Sequence, residues 1–247
     1  LDANTTGGTN TAIGAEAMGA NTTGGDNTAL GYNSLASNTT ANNNVAVGYY
    51  ALLANTTGAD NTAVGAYALD ANTTGIDNVA VGKAALGVST TGQRNAALGT
   101  LSLDACTTGS NNVGVGYESL SANTTGASNV AVGYLALWKN TTASNNVCLG
   151  DNAGSSITTG GNNVFIGQNA GVETTALTTG SNNAVVGHAS YTTAVDSQYA
   201  NGLGYNLACA ASYTTVGDRG NDIRAANGTA TWATVSDERV KKDIEDS

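Results

Sequence analysis

"LDANTTGIDNVAVG" runs from Leu69 to Gly82, and "LDANTTGGTNTAIG" from Leu1 to Gly14 spells nearly the same phrase. Between and beyond them the phrase recurs at a constant step of 17, marked by Gly14, Gly31, Gly48, Gly65, Gly82, Gly99, Gly116, Gly133, Gly150 and Gly167. After an insertion near Val172 to Leu177, Gly187 and Gly204 resume it. Leu1 falls in the middle of a phrase, which reads as a cut through a longer polypeptide.

Three further columns keep the same step. An Asn stands four places before each of the first ten marker glycines, from Asn10, Asn27 and Asn44 through Asn163, with Asn183 before Gly187 completing the series. An aliphatic residue stands directly before the glycine, as at Ile13, Leu30, Val47, Val64, Val81 and Leu98. Four places after the glycine comes a second apolar column, Met18, Leu35, Leu52, Leu69, Leu86, Leu103, Leu120 and Leu137. Thr pairs such as Thr5-Thr6, Thr56-Thr57 and Thr178-Thr179 mark another corner.

A helical repeat needs two helices per unit, and a 17-residue unit with glycine corners and no helix-length apolar pattern has no room for them. Short strands fit. In "NVAVG" (Asn78 to Gly82) Val79 and Val81 point one way and Asn78, Ala80 and Gly82 the other, because strand side chains alternate. Stacked coils place each strand beside its copy about 4.8 Å away. Eleven coils then make a rod of roughly 50 Å. Stacked Asn side chains can hydrogen-bond along the ladder, and glycine permits the corners. Each coil buries only two or three mid-sized apolar residues, worth about 1.5–3 kcal/mol each, so its neighbours must stabilise it.

The fold class expected is therefore all-β, a parallel β-solenoid or β-roll of 17-residue coils. Two short strands and two corners per coil give a flattened roll, with one side made only of Asn, Ala and Gly. Such a small side suits close approach of another backbone and leads to a homotrimeric fibre; a self-sufficient three-sided solenoid is the alternative. The shaft covers residues 1–190, degenerate repeats 191–217, a C-terminal stem 218–236, and a different segment 237–247.

Composition agrees with a thin core: no proline, 5% aromatic and 11% charged residues, against about 25% charged in ordinary domains. The net charge is -10, but the three cations before Asp218 (Lys83, Arg94 and Lys139) are scattered. Nucleic acid and anionic membranes need clustered Lys or Arg, so neither is an expected partner. No apolar run reaches the roughly 18 residues of a membrane span. Cys106, Cys148 and Cys209 are odd in number without C-x-x-C spacing, and read as free packing residues.

Two resemblances follow. The N-x-A-[VL]-G units resemble the head repeats of trimeric autotransporter adhesins, parallel β-rolls packed three side by side, whose usual unit is shorter than this one. "SDERVKKDI" (Ser236 to Ile244), preceded by "NDIRAANGTATWATV", resembles the opening of the peptidase S74 intramolecular chaperone of phage tail fibres and tailspikes. That resemblance implies Ser236 as nucleophile of a self-cleavage, Asp237 as first residue of the released part and Lys241 as partner of the serine. Asp237 to Ser247 are all that the sequence holds of such a chaperone.

Candidate binding residues are the tyrosines that follow marker glycines, Tyr32, Tyr49, Tyr117, Tyr134 and Tyr205, which line one edge of the rod. Aromatic rings there can stack on sugars or cover a groove between chains. The NTT triplets at Asn4, Asn21, Asn38, Asn55, Asn72, Asn123 and Asn140 match a glycosylation acceptor, but they belong to the repeat frame and read as corners. His188 stands without companions at ligand spacing, so no metal is expected, nor any cofactor. Neither a P-loop, G-x-S-x-G nor H-E-x-x-H motif occurs, and catalysis on an external substrate is not expected. The function expected is a segment of a phage tail fibre or tailspike, in the virion or else on a bacterial surface. Its partners would be copies of itself, upstream tail proteins, and a host-surface glycan or protein. The rivals are an ice-binding solenoid and the stalk of an enzyme whose catalytic domain lies upstream.

Overall fold

In the computed structural model, which describes residues 1–172, 178–228 and 233–234, no helix is present among the described residues. Strands β1 (Thr11–Ile13), β2 (Thr28–Leu30), β3 (Val45–Val47), β4 (Thr62–Val64), β5 (Val79–Val81), β6 (Ala96–Leu98), β7 (Val113–Val115), β8 (Val130–Val132), β9 (Val147–Leu149), β10 (Val164–Ile166) and β11 (Ala184–Val186) follow one per coil. They pair in parallel and in register, so that Val79, Ala80 and Val81 lie beside Ala96, Ala97 and Leu98. The chain is a parallel β-solenoid.

The interior reverses one expectation. Ala80 is wholly buried, while Val79 and Val81 are each 39% exposed. The side made of Asn, Ala and Gly is thus the inside of the roll, and the aliphatic side faces out. The opposite wall supplies the reason: Leu69, Leu86 and their column, with Ala68 and Ala85 beside them, are fully buried. Only small strand residues leave room for a leucine across so narrow a coil, and close packing rejects a second large layer.

That opposite wall is not a second strand, as the division of the coil into two strands would require. It is a run of tight turns in which two residues per coil take left-handed backbone, for example Tyr67 (φ 61°) and Leu69 (φ 51°). Side chains disfavour this region by about 1–2 kcal/mol each. Hydrogen bonds between coils hold it: the Tyr67 amide donates to the Tyr49 carbonyl (2.9 Å) in the coil before, and the Leu69 amide to the Ala85 carbonyl (3.0 Å) in the coil after. The wall therefore stacks like a sheet without being extended. At the marker corner, Gly82 has φ 139°, and a β-carbon there would stand 2.5 Å from the Gly99 carbonyl oxygen, so no other residue fits.

Core volume is conserved coil by coil. Where the leucine column changes to Gly154 and Gly171, the strand column enlarges from Ala to Cys148 and Phe165, all within the buried core. A β-carbon on Gly171 would meet the Phe165 ring at 3.0 Å. In the same way Gly114 replaces a strand alanine where Ser102 and Ser119 meet, their hydroxyls 2.9 Å apart.

The Asn column is a continuous buried ladder. Asn61 Oδ1 accepts from both the Asn78 amide (3.1 Å) and Asn78 Nδ2 (3.0 Å). Asn61 Nδ2 donates to Asn44 Oδ1 (3.3 Å) and to the Gly75 carbonyl (2.9 Å). Both donors and both lone pairs are used, which a carboxylate could not match. The ladder crosses the insertion, since Asn183 Nδ2 donates to Asn163 Oδ1 at 2.9 Å. It ends where Asn183 Oδ1 accepts from the Ala200 amide.

The Asn of the NTT triplets forms a second inner ladder, with Asn72 Nδ2 donating to Asn55 Oδ1 at 2.9 Å. Ser89, Cys106 and Ile157 interrupt that column. Next to the first interruption, Asn72 Oδ1 and Ser89 Oγ are buried without a partner. The Thr pair lies in a bend on the outside; the first hydroxyl of each pair bonds the next coil, as Thr56 Oγ1 does with the Thr73 carbonyl (3.1 Å).

Beyond β11, strands β12 (Tyr191–Thr192), β13 (Asn201–Tyr205), β14 (Ala208–Cys209) and β15 (Tyr213–Asp218) continue the stack. β13 pairs with β11 and β15 with β13, all parallel. Strands β16 (Asn221–Ala226) and β17 (Ala233–Thr234) then turn back antiparallel. The reversal ends the run of parallel pairings.

Repairing the faulted ladder should stabilise the protein. The double variant Ser89→Asn/Cys106→Asn supplies partners from Asn72 to Asn123 and is expected to gain on the order of 1–3 kcal/mol in chemical denaturation. Asn95→Ala, which leaves Asn78 Oδ1 only the backbone amide as donor and removes the acceptor of both the Asn112 amide and Asn112 Nδ2, is expected to lose on the order of 2–4 kcal/mol in the same measurement.

Candidate functional site

Two features of the outer surface exceed what stacking requires. The first is the outward face of the sheet, where two columns run its length: Thr11, Val45, Val79 and their equivalents, and Ile13, Leu30, Val81 and Leu98 with theirs. Neither column contains a charged residue from β1 to β13. Ile13 is 60% exposed and Leu98 42%. A parallel sheet with an uncovered, largely apolar face is uncommon, because such sheets are ordinarily covered on both faces.

The second feature is an aromatic corner beside this face. All five sequence-derived candidates lie exposed at the position after the marker glycine, and Tyr32, Tyr49, Tyr117 and Tyr134 lie within the regular coils. These four form two pairs. Tyr32 and Tyr49 stack with centroids 5.5 Å apart and planes at 15°, and Tyr117 and Tyr134 at 5.7 Å and 14°. Ala66, Lys83 and Thr100 occupy the same corner between the pairs. Tyr205 stacks on His188 with centroids 5.4 Å apart.

Only the first pair is part of a larger cluster. Tyr50 and Tyr67, one position further on, place their rings against it: Tyr49 lies 4.1 Å from Tyr50 and 5.4 Å from Tyr67. Tyr32 meets Tyr50 edge-on at 5.7 Å. Tyr50 and Tyr67 were not among the candidates, since they occupy a column filled elsewhere by Asn33, Ala84 and Glu118. The only signal in the sequence is the doublet Tyr49-Tyr50 followed by a tyrosine one coil later. The Tyr50 hydroxyl beside it holds Tyr49 protonated and pushes its pKa up to about 12.

The cysteines and the NTT asparagines from Asn21 to Asn140 are enclosed in the roll. Cys106, Cys148 and Cys209 are buried and free. Burial pushes Cys106 up to about 11 and Cys209 up to about 12, with Cys148 also raised by its complete burial. The NTT asparagines from Asn21 to Asn140 point inward with no exposed surface, which leaves no amide for a glycan. Among the described residues no group of three or more His, Cys, Asp or Glu could hold a metal ion. No helix there is long and apolar enough to cross a membrane. Ser236, Asp237 and Lys241 lie outside the described residues. No protein-family model, curated protein or solved structure matches this chain.

Two outcomes are expected in solution. In a site-resolved NMR titration Tyr49 ionises near pH 12, later than free tyrosine; the neutral form is the one the fold favours, so this contribution persists below about 10 and vanishes as pH rises through about 12. Tyr50→Phe should return the midpoint toward the ordinary range. At pH 8 Ellman's reagent should label none of the three cysteines in the native protein and all of them once it is unfolded.

Proposed function

We propose that this chain is a segment of a trimeric fibre, belonging to a phage tail fibre or tailspike, that carries and contributes to attachment at a host surface. The observation that carries it is the uncharged, largely aliphatic face running along the stacked coils. Monomeric soluble proteins rarely expose contiguous apolar patches beyond a few hundred Å². Twelve stacked strands make a strip about 55 Å long by strand spacing alone.

Trimerisation uses this aliphatic face and not the small Asn-Ala-Gly side, which is enclosed within each roll. Three rolls that each turn one flat apolar face toward a common axis bury all of them in one closed assembly. The likeness of the N-x-A-[VL]-G units to trimeric adhesin heads, and of "SDERVKKDI" to a trimer-assembling chaperone, supports three copies over two. Cleavage before Asp237 by Ser236, with Lys241 accepting its proton, belongs to the same proposal; a serine hydroxyl needs such a base to act as nucleophile.

An ice-binding role draws less support. It calls for parallel ranks of free Thr hydroxyls on one flat face, whereas here the first Thr of each pair bonds a carbonyl, as Thr39 Oγ1 does with Thr56 at 3.1 Å. An upstream catalytic domain carried on this stalk is compatible with the fibre role.

Sedimentation equilibrium at micromolar concentration should give three times the chain mass of 24.4 kDa. Val81→Asp/Leu98→Asp, which places charges at the middle of the face, should leave the β-rich circular dichroism intact and sediment as a monomer. A wild-type monomer at all concentrations refutes the assembly. Mass spectrometry of the intact gene product should find a mature end at Ser236.

A further inference from the structure

We infer that the four-tyrosine corner formed by Tyr32, Tyr49, Tyr50 and Tyr67 is a binding site for an uncharged saccharide chain, with the rings as platform and the phenol hydroxyls as hydrogen-bonding rim. This names a ligand class for the attachment role proposed above and rests on that role.

The fold itself does not ask for aromatic residues at this corner. Along the first column, Ala15, Ala66, Lys83 and Thr100 hold the same backbone position. Along the second, the left-handed conformation of Tyr50 and Tyr67 (φ 60° and 61°) is shared by Asn33 (φ 54°) and Ala84 (φ 54°), so the backbone would form without the rings. Nor do the rings fill the core: Tyr32, Tyr49 and Tyr67 remain 46%, 44% and 38% exposed. Rings kept in water at this density are held for something that lands on them.

The geometry separates this corner from the other tyrosine pair. Tyr117 and Tyr134 lie nearly parallel, at 14°, each covering one face of the other. In the cluster, planes cross at 62° between Tyr32 and Tyr50 and at 73° between Tyr49 and Tyr67. Ring faces and hydroxyl edges are therefore presented together over three adjacent coils. A pyranose has the matching composition, an apolar C–H face and a polar perimeter, and tyrosine combines an apolar body with a polar tip.

Charge decides the class of sugar. The corner holds no carboxylate or cation, and within its two columns the next charged residues are Glu16 on one side and Lys83 on the other. Opposite signs at the two ends favour neither a sialylated nor a cationic chain.

The test uses the full chain in its assembled state on a glycan array carrying uncharged oligosaccharides of hexoses and N-acetylhexosamines beside sialylated and uronic-acid chains. Wild type is expected to be retained on uncharged glycans. Tyr49→Ala/Tyr67→Ala should lose about tenfold or more in affinity, equivalent to about 1.4 kcal/mol. Tyr49→Phe/Tyr67→Phe should keep most of it, and Tyr117→Ala/Tyr134→Ala all of it, with melting temperature and sedimentation unchanged throughout. Retention on acidic glycans alone, no retention on any uncharged glycan, or equal retention of the alanine variant overturns the site. A changed sedimentation of that variant also overturns it, because the rings then belong to a contact between copies. Adsorption to bacterial cells separates the two levels: if wild type and the alanine variant adsorb equally, the corner is wrong and the attachment role stands, and if wild type adsorbs to none, the attachment role falls with it.

Discussion

Everything in this molecule depends on the buried amide ladder. A coil of this size has too few apolar side chains to stabilise itself, and a polar group in its interior costs several kcal/mol unless paired. Stacked Asn residues resolve both difficulties, because each amide both donates and accepts along the axis. The Asn78 amide and side chain bind Asn61, and the same pattern links Asn95 to Asn78 and Asn112 to Asn95. One coil thus satisfies the next, and the repeat length is locked. The register survives the longer coil, since Asn183 Nδ2 still donates to Asn163 Oδ1.

The ladder also dictates how little can be packed beside it. Ala on the strand and Leu on the turn wall share the remaining space, and departures come in compensating pairs, Phe165 with Gly171 and Cys148 with Gly154. Such substitutions change side chains by several atoms while leaving the coil dimensions alone. Large apolar residues in excess of this allowance are pushed outward, which is the physical origin of the aliphatic face. A surface suited to association is thus a consequence of a core too thin to hold its own valines.

Much of the architecture was legible in the sequence. The step of 17, the Asn and Gly columns and the preference for strands over helices all emerged from spacing, because in-register stacking transmits every positional requirement unchanged from coil to coil. The second ladder escaped notice because Asn beside a Thr pair has the composition of an ordinary turn. Of the tyrosine cluster, Tyr32 and Tyr49 were recognisable by their column. Tyr50 and Tyr67 occupy a column of mixed residues, where only the folded corner brings their rings to Tyr49.

The sequence by itself determined the period, the parallel stacking and which residues share a column, since these follow from repetition and from the alternation of strand side chains. Alternation establishes that Val79 and Ala80 lie on opposite sides, but it is symmetric and does not say which side is dry. Tertiary structure decided that. The turn wall brings Leu69 and Leu86 inside, and there is room opposite them for alanine and not for valine.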